Sequence, residues 1–139
     1  MGLKSFCFPL IAFVAVTTAY LAADGECYLR VTLHLFSGRP SPQWDIGRQN
    51  RNFDRILNEV SGHNSTALAP ILGYSGFTVE EFRDGVLRRS LDVGKCTRPE
   101  FELLLLETVE DMSPVGASQP LGNSTLQFVR EPIQSCIRN

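Results

Sequence analysis

Apolar and polar residues alternate from Cys27 to Phe36. Leu29, Val31, Leu33 and Leu35 fall on one side, and Arg30, Thr32 and His34 on the other. A period of two predicts a half-buried strand. Ser37-Gly38-Arg39-Pro40-Ser41-Pro42 then ends it, because a glycine and two prolines forbid a regular ladder or helix. From about Arg48 to Ser61 the period becomes helical: Phe53, Ile56, Leu57 and Val60 form one apolar stripe, and Gly62 supplies a stop. Residues 63–76 read as a loop. Phe77–Phe82 predicts a short strand with Phe77 and Val79 inward, Asp84-Gly85 a hairpin turn, and Val86–Val93 the returning strand with Leu87 and Leu91 apolar. The same stretch also admits partial helix. Thr97, Pro99 and Glu100 have the spacing of a capping box, opening a helix through Phe101, Leu104, Leu105 and Thr108 to about Met112. Pro114, Gly116, Pro120, Gly122 and Pro132 make the remainder read as extended, with one short strand at Leu126–Val129.

The order β-α-β-β-α predicts an α+β fold. A crossover through the first helix would set the first two strands parallel, with the third returning antiparallel. The expected architecture is a small mixed three-stranded sheet with two helices on one face and an irregular C-terminal tail. Its core would place the four strand leucine and valine side chains against Ile56, Leu57, Val60, Phe101, Leu104 and Leu105.

The N-terminus adds a destination. Lys4, the apolar run Phe6–Val16 and the small residues Ala19, Ala22 and Ala23 have the layout of a cleaved secretory signal. The expected organisation is therefore a signal peptide over residues 1–23, a single α+β domain over 24–112 and an extended tail over 113–139. The mature chain, about 115 residues, is enough for one core. Its net charge moves from −2 to −3 once Lys4 is lost, and Arg88-Arg89 is its densest basic cluster. Nucleic acid is thus not an expected partner, nor is a membrane after signal cleavage. Asn64-Ser65-Thr66 and Asn123-Ser124-Thr125 are acceptor triplets in turn-rich surroundings, which predicts a glycoprotein modified at Asn64 and Asn123.

Cysteine sharpens the same picture. Cys27, Cys96 and Cys136 remain after cleavage, and an odd number in an oxidising compartment implies one disulfide bond and one further thiol. The predicted topology returns the third strand to the starting end of the first, which favours Cys27 with Cys96. Cys136 would then be free or interchain, able to link a covalent homodimer. Pairing of Cys96 with Cys136 is the competing connectivity, and it would pin the tail to the domain.

Candidate chemistry concentrates in one segment. The two prolines of Ser37-Gly38-Arg39-Pro40-Ser41-Pro42-Gln43-Trp44 could stiffen a loop presenting Arg39 and Trp44, residue types that often carry binding energy. The plainer reading, favoured because a lone tryptophan is usually well buried, has Trp44 plugging the junction between sheet and helix. SGRPSPQW, followed by LGYSGF at 72–77 and a late helix ending LLLLETV, resembles small uncharacterised proteins with an SGRPxPxW motif. That resemblance spans about residues 29–112 and implies no activity. It groups Arg39, Trp44 and Tyr74 as candidate binding residues within one domain, together with Gly76.

Catalysis finds less support. His34 and His63 are the only histidines, and neither stands in a nucleophile–base pattern. Glu80, Glu81, Glu107, Glu110 and Asp111 could supply paired carboxylates, though such residues usually serve solvation. No metal or cofactor motif is present, so none of either is expected. The favoured reading is a secreted, extracellular, non-catalytic glycoprotein: a binding or extracellular-matrix component whose partner is another extracellular macromolecule. The alternatives are a small secreted hydrolase using carboxylates, and a disulfide-linked signal or defence factor.

Overall fold

The alternating segment forms β1 (Cys27–Phe36) in the computed structural model, which describes residues 26–110 and 121–139. The expected signal peptide, Asp111 and Met112 at the end of the predicted second helix, and the first residues of the tail lie outside the described residues. Further elements follow in the order β2 (Gln43–Ile46), α1 (Phe53–Gly62), β3 (Gly73–Arg83), β4 (Val86–Gly94), α2 (Pro99–Glu110) and α3 (Asn123–Arg138). The class is α+β. The sheet has four antiparallel neighbours in the order β2-β1-β3-β4.

The four residues of β2 correct the predicted topology. They reverse the chain before α1 begins, so α1 links β2 to β3 across the intervening β1, and β1 and β3 run antiparallel. The expected mixed three-stranded sheet missed this reversal, because a strand of four residues beside two prolines carries little periodicity. It also misplaced the cysteines. Cys27 stands opposite Arg83 at one end of the sheet, whereas Gly94 stands opposite Gly76, itself paired with His34, at the other. Cys96 therefore emerges far from Cys27 along the sheet and bonds to Cys136 instead. The predicted Cys27–Cys96 bridge is replaced, and Cys136 is neither free nor interchain.

The inner face follows the predicted alternation. Leu29, Val31 and Leu33 are fully buried, joined by Phe77 and Val79 of β3, Leu91 and Val93 of β4, and Trp44 and Ile46 of β2. Leu35, at the strand end, is only half-buried. Phe53, Ile56 and Val60 of α1 and Phe101, Leu104 and Leu105 of α2 close over this face in one cluster. Each fully buried side chain of this size contributes about 1.5–3 kcal/mol. Leu87 departs from the pattern: the β3–β4 register slips so that Phe82 faces Leu87, which removes Leu87 from the core face and leaves it exposed.

The largest correction concerns the C-terminus. Residues 123–138 form a helix, and Leu126, Val129 and Ile133 are its buried stripe in the common core. Over these residues neither the extended tail nor the short strand at Leu126–Val129 forms. Pro132 lies inside the helix; the carbonyl it deprives of a partner belongs to Phe128, a residue more than half exposed. Arg130 of α3 donates to Glu110 of α2 at 2.6 Å, a second tie between the helices. No described helix is long and apolar enough to cross a membrane.

Candidate functional site

A bulge in β3 determines where the candidate residues point. His34 pairs with Gly76 but Leu35 pairs with Tyr74, so Ser75 is an extra residue and Tyr74 is turned onto the inner face beside Phe77. Gly76 allows this with a φ of +138°, and a Cβ there would meet the Val93 carbonyl at 2.2 Å. Tyr74 is 3% exposed, and its hydroxyl donates to Glu102 Oε1 at 2.7 Å. Burial, reinforced by the neighbouring carboxylate, pushes the phenol's pKa far up and keeps it protonated.

Glu102 is the centre of this junction and is fully buried. Besides Tyr74, it accepts the backbone N–H of Cys96 on Oε1 and that of Arg98 on Oε2, each at 2.9 Å. It therefore caps α2, a role the sequence pattern gave to Glu100. Thr97 turns back to Gly94 rather than capping the helix. Cys96 adopts a left-handed φ of 63°, which aims its N–H at the carboxylate. The Arg98 guanidinium lies 4.6 Å from the Phe101 ring and bonds Glu59 of α1. Its pKa is lowered by burial, against an opposing effect of Glu102.

Trp44 is 4% exposed, and its indole N–H donates to Thr108 Oγ1 at 2.8 Å. The Thr108 hydroxyl in turn donates to the Leu105 carbonyl. Trp44 thus joins β2 to α2, the plug that the plainer sequence reading described. Of the three candidate binding residues, Trp44 and Tyr74 turn into the core while Arg39 remains outside. They do not converge.

Arg39 instead borders an open groove of about 630 Å³ between the 37–42 loop, Gly73 and the first turns of α3. Leu35, Pro40, Pro42, Leu121 and Phe128 supply its apolar surface, with hydroxyls from Ser37, Ser124 and Thr125. The loop is anchored where Leu33 N–H donates to the Pro42 carbonyl at 2.9 Å, and Gly38 turns it with a φ of +80°. Phe128 is 57% exposed, and its ring passes within 3.6 Å of where a Gly73 side chain would begin. Arg39 is exposed and, among the described residues, has no hydrogen-bond or ion-pair partner. The sequence reading missed Phe128 because Pro132 hid the helix it belongs to. The spacing of Leu126, Val129 and Ile133 was the available signal, and it leaves Phe128 off the buried stripe.

The opposite face of the sheet is polar and largely self-paired. Arg30 forks onto Asp45 at 2.9 and 3.3 Å and lies over the stacked rings of Tyr28 and Phe82. His34 Nε2 is 2.8 Å from Thr78 Oγ1, which donates to Asp92 at 2.7 Å. A carboxylate oxygen accepts, so Thr78 directs its proton at Asp92 and receives the one on His34 Nε2. In that arrangement the hydroxyl is turned away from the imidazole. Among the described carboxylates, Glu80 and Glu81 alternate across β3, and Glu110 is held by Arg130. His63 is exposed beside Glu59 at 3.2 Å. No three potential metal ligands cluster among the described residues.

Both acceptor asparagines are exposed. Asn64 precedes a stretch pinned along β4, where Ser65 accepts the Asp92 N–H and Thr66 donates its own N–H to the Asp92 carbonyl, both at 2.8 Å. Asn123 opens α3 between the groove residues Gly122 and Ser124. No protein-family model, curated protein or solved structure matches the chain.

Proposed function

We propose that this protein is a secreted glycoprotein that acts by binding another extracellular macromolecule, as a component of the extracellular matrix or its surroundings, through the groove between the 37–42 loop and α3. The observation that carries this reading is the unpaired Arg39 guanidinium beside an apolar groove and a half-exposed Phe128. Arginine and large aromatic side chains contribute disproportionately to interfaces once a partner desolvates them. The anchored loop and the core-packed α3 hold the groove's walls before any partner arrives, which limits the ordering cost of binding. Glycan on Asn64 would leave the groove clear, and glycan on Asn123 would stand at its edge.

Retention of the secreted protein on matrix laid down by cultured cells tests this. Arg39→Ala should leave stability within about 0.5 kcal/mol, since the side chain is exposed and unpartnered. It should nevertheless lower retention about tenfold, the scale of a charged hydrogen bond. Equal retention of the two proteins would remove the groove from the function.

A further inference from the structure

Resting on the groove as the binding site, we propose that its occupant is an extended peptide segment of a partner protein, carrying a carboxylate beside a bulky apolar side chain. Charge comes first. Among the described residues, Arg39 is the only charged side chain lining the groove, and no carboxylate lines it. Its guanidinium is uncommitted, unlike Arg30, Arg98 and Arg130, each of which bonds a carboxylate of the chain itself. A planar fork of donors without an acceptor matches a carboxylate in two parallel hydrogen bonds.

The apolar half of the argument lies beside it. Phe128 is 57% exposed, Leu72, the residue before Gly73, is 89% exposed, and Ile71 is 39% exposed. Single exposed hydrophobics are ordinary, but Phe128 lines the groove and Ile71 and Leu72 lead directly into its residue Gly73. An open trough leaves one side of a compact small molecule in solvent. A peptide chain laid along it covers the trough and continues onto Leu72, with the carboxylate at Arg39 and the apolar side chain against Phe128. A second copy of this protein docked groove to groove would instead oppose two Arg39 guanidinia with no carboxylate from the described lining of either.

The test uses short fluorescein-labelled peptides, each with one Glu or Asp next to Leu, Ile, Phe or Met in a Gly/Ser background. Matched peptides carry Gln or Asn in place of the acid, and binding to the secreted full chain is read by fluorescence polarisation. Acidic peptides should bind at least about tenfold more tightly than their amide counterparts. Arg39→Ala should abolish that discrimination, the coupling expected when two groups interact directly. Phe128→Ala, and independently Leu72→Ser at its more exposed position, should weaken acidic and amide peptides alike. Equal binding of acid and amide, discrimination that survives Arg39→Ala, absence of peptide binding, or binding of laurate alone would each overturn the proposal. If matrix retention still depends on Arg39 while the peptides fail, the occupant class is wrong and the groove stands. If Arg39→Ala alters neither readout, both fall.

Discussion

Gly73 and Tyr74 are neighbours on β3, yet they border opposite kinds of polar site. Tyr74 turns inward to Glu102, where a buried carboxylate is met by a phenol and two backbone N–H groups. Gly73 borders the groove, where the Arg39 guanidinium has no partner among the described residues. Water explains the difference. A buried carboxylate without partners would cost several kcal/mol, so Glu102 exists only as the centre of a paired network. An exposed guanidinium keeps its hydration and costs the fold nothing, so it remains available for a ligand. Polar residues that converge inside this molecule serve stability, whereas Arg39 stays exposed at no cost to the fold.

The disulfide spans both regions, since Cys96 belongs to the Glu102 junction and Cys136 to the helix that walls the groove. Its removal gives the largest expected effect. Closing a loop of 40 residues contributes about 4 kcal/mol by the loop-entropy estimate. Cys96→Ser with Cys136→Ser should lower stability by that amount in urea denaturation. α3 should remain docked through Leu126, Val129 and Ile133, so peptide affinity should fall less than stability. A loss of groove binding in a still-folded variant would mean that the bridge, rather than the core, holds the wall.

Glu102→Ala breaks the junction alone. It strands the Tyr74 hydroxyl and the N–H groups of Cys96 and Arg98, and should cost at least about 3 kcal/mol. Tyr74→Phe removes only one of the three donors and should cost about 1 kcal/mol. If the two variants are equally stable by denaturation, the two backbone N–H bonds to Glu102 add nothing beyond the phenol's. Trp44→Phe comes next, at about 1–2 kcal/mol for the lost bond to Thr108 and the smaller ring. Calorimetry should show the destabilisation with peptide affinity unchanged; a selective loss of affinity would return Trp44 to the binding surface.

The smallest effect belongs to His34 on the polar face. Burial lowers its pKa below the ordinary 6.5, against a weaker opposing influence of Asp92. The folded state therefore binds that proton less readily than the unfolded chain. The contribution is present above pH 6.5 and is lost as pH falls through the folded value. His34→Asn should narrow the drop in urea midpoint between pH 7.5 and pH 5. An unchanged pH dependence would show that the His34–Thr78–Asp92 chain contributes nothing to acid sensitivity.

Local periodicity made much of the fold legible. The period of two in Cys27–Phe36, the stripe Phe53-Ile56-Val60 and the Asp84-Gly85 turn identify β1, α1 and the hairpin, because each signal lies within one element. Glu102 was harder to read. Inside the run Phe101–Leu106 a lone carboxylate resembles a solvated helix position, and its partners come from β3 and from the turn before α2.

By itself the sequence determined which stretches could form strands and helices, and which faces of β1 and α1 would be apolar. Those properties follow from side-chain spacing and need no distant partner. Only the tertiary structure decided that the four residues Gln43–Ile46 would pair with β1, since a strand this short is stabilised by its neighbour and not by propensity. That pairing reversed the chain, made β1 and β3 antiparallel and carried Cys96 away from Cys27. It also decided that residues 123–138 become a helix despite Pro132. Burial of Leu126, Val129 and Ile133, together with the bridge to Cys96, outweighs one missing backbone hydrogen bond.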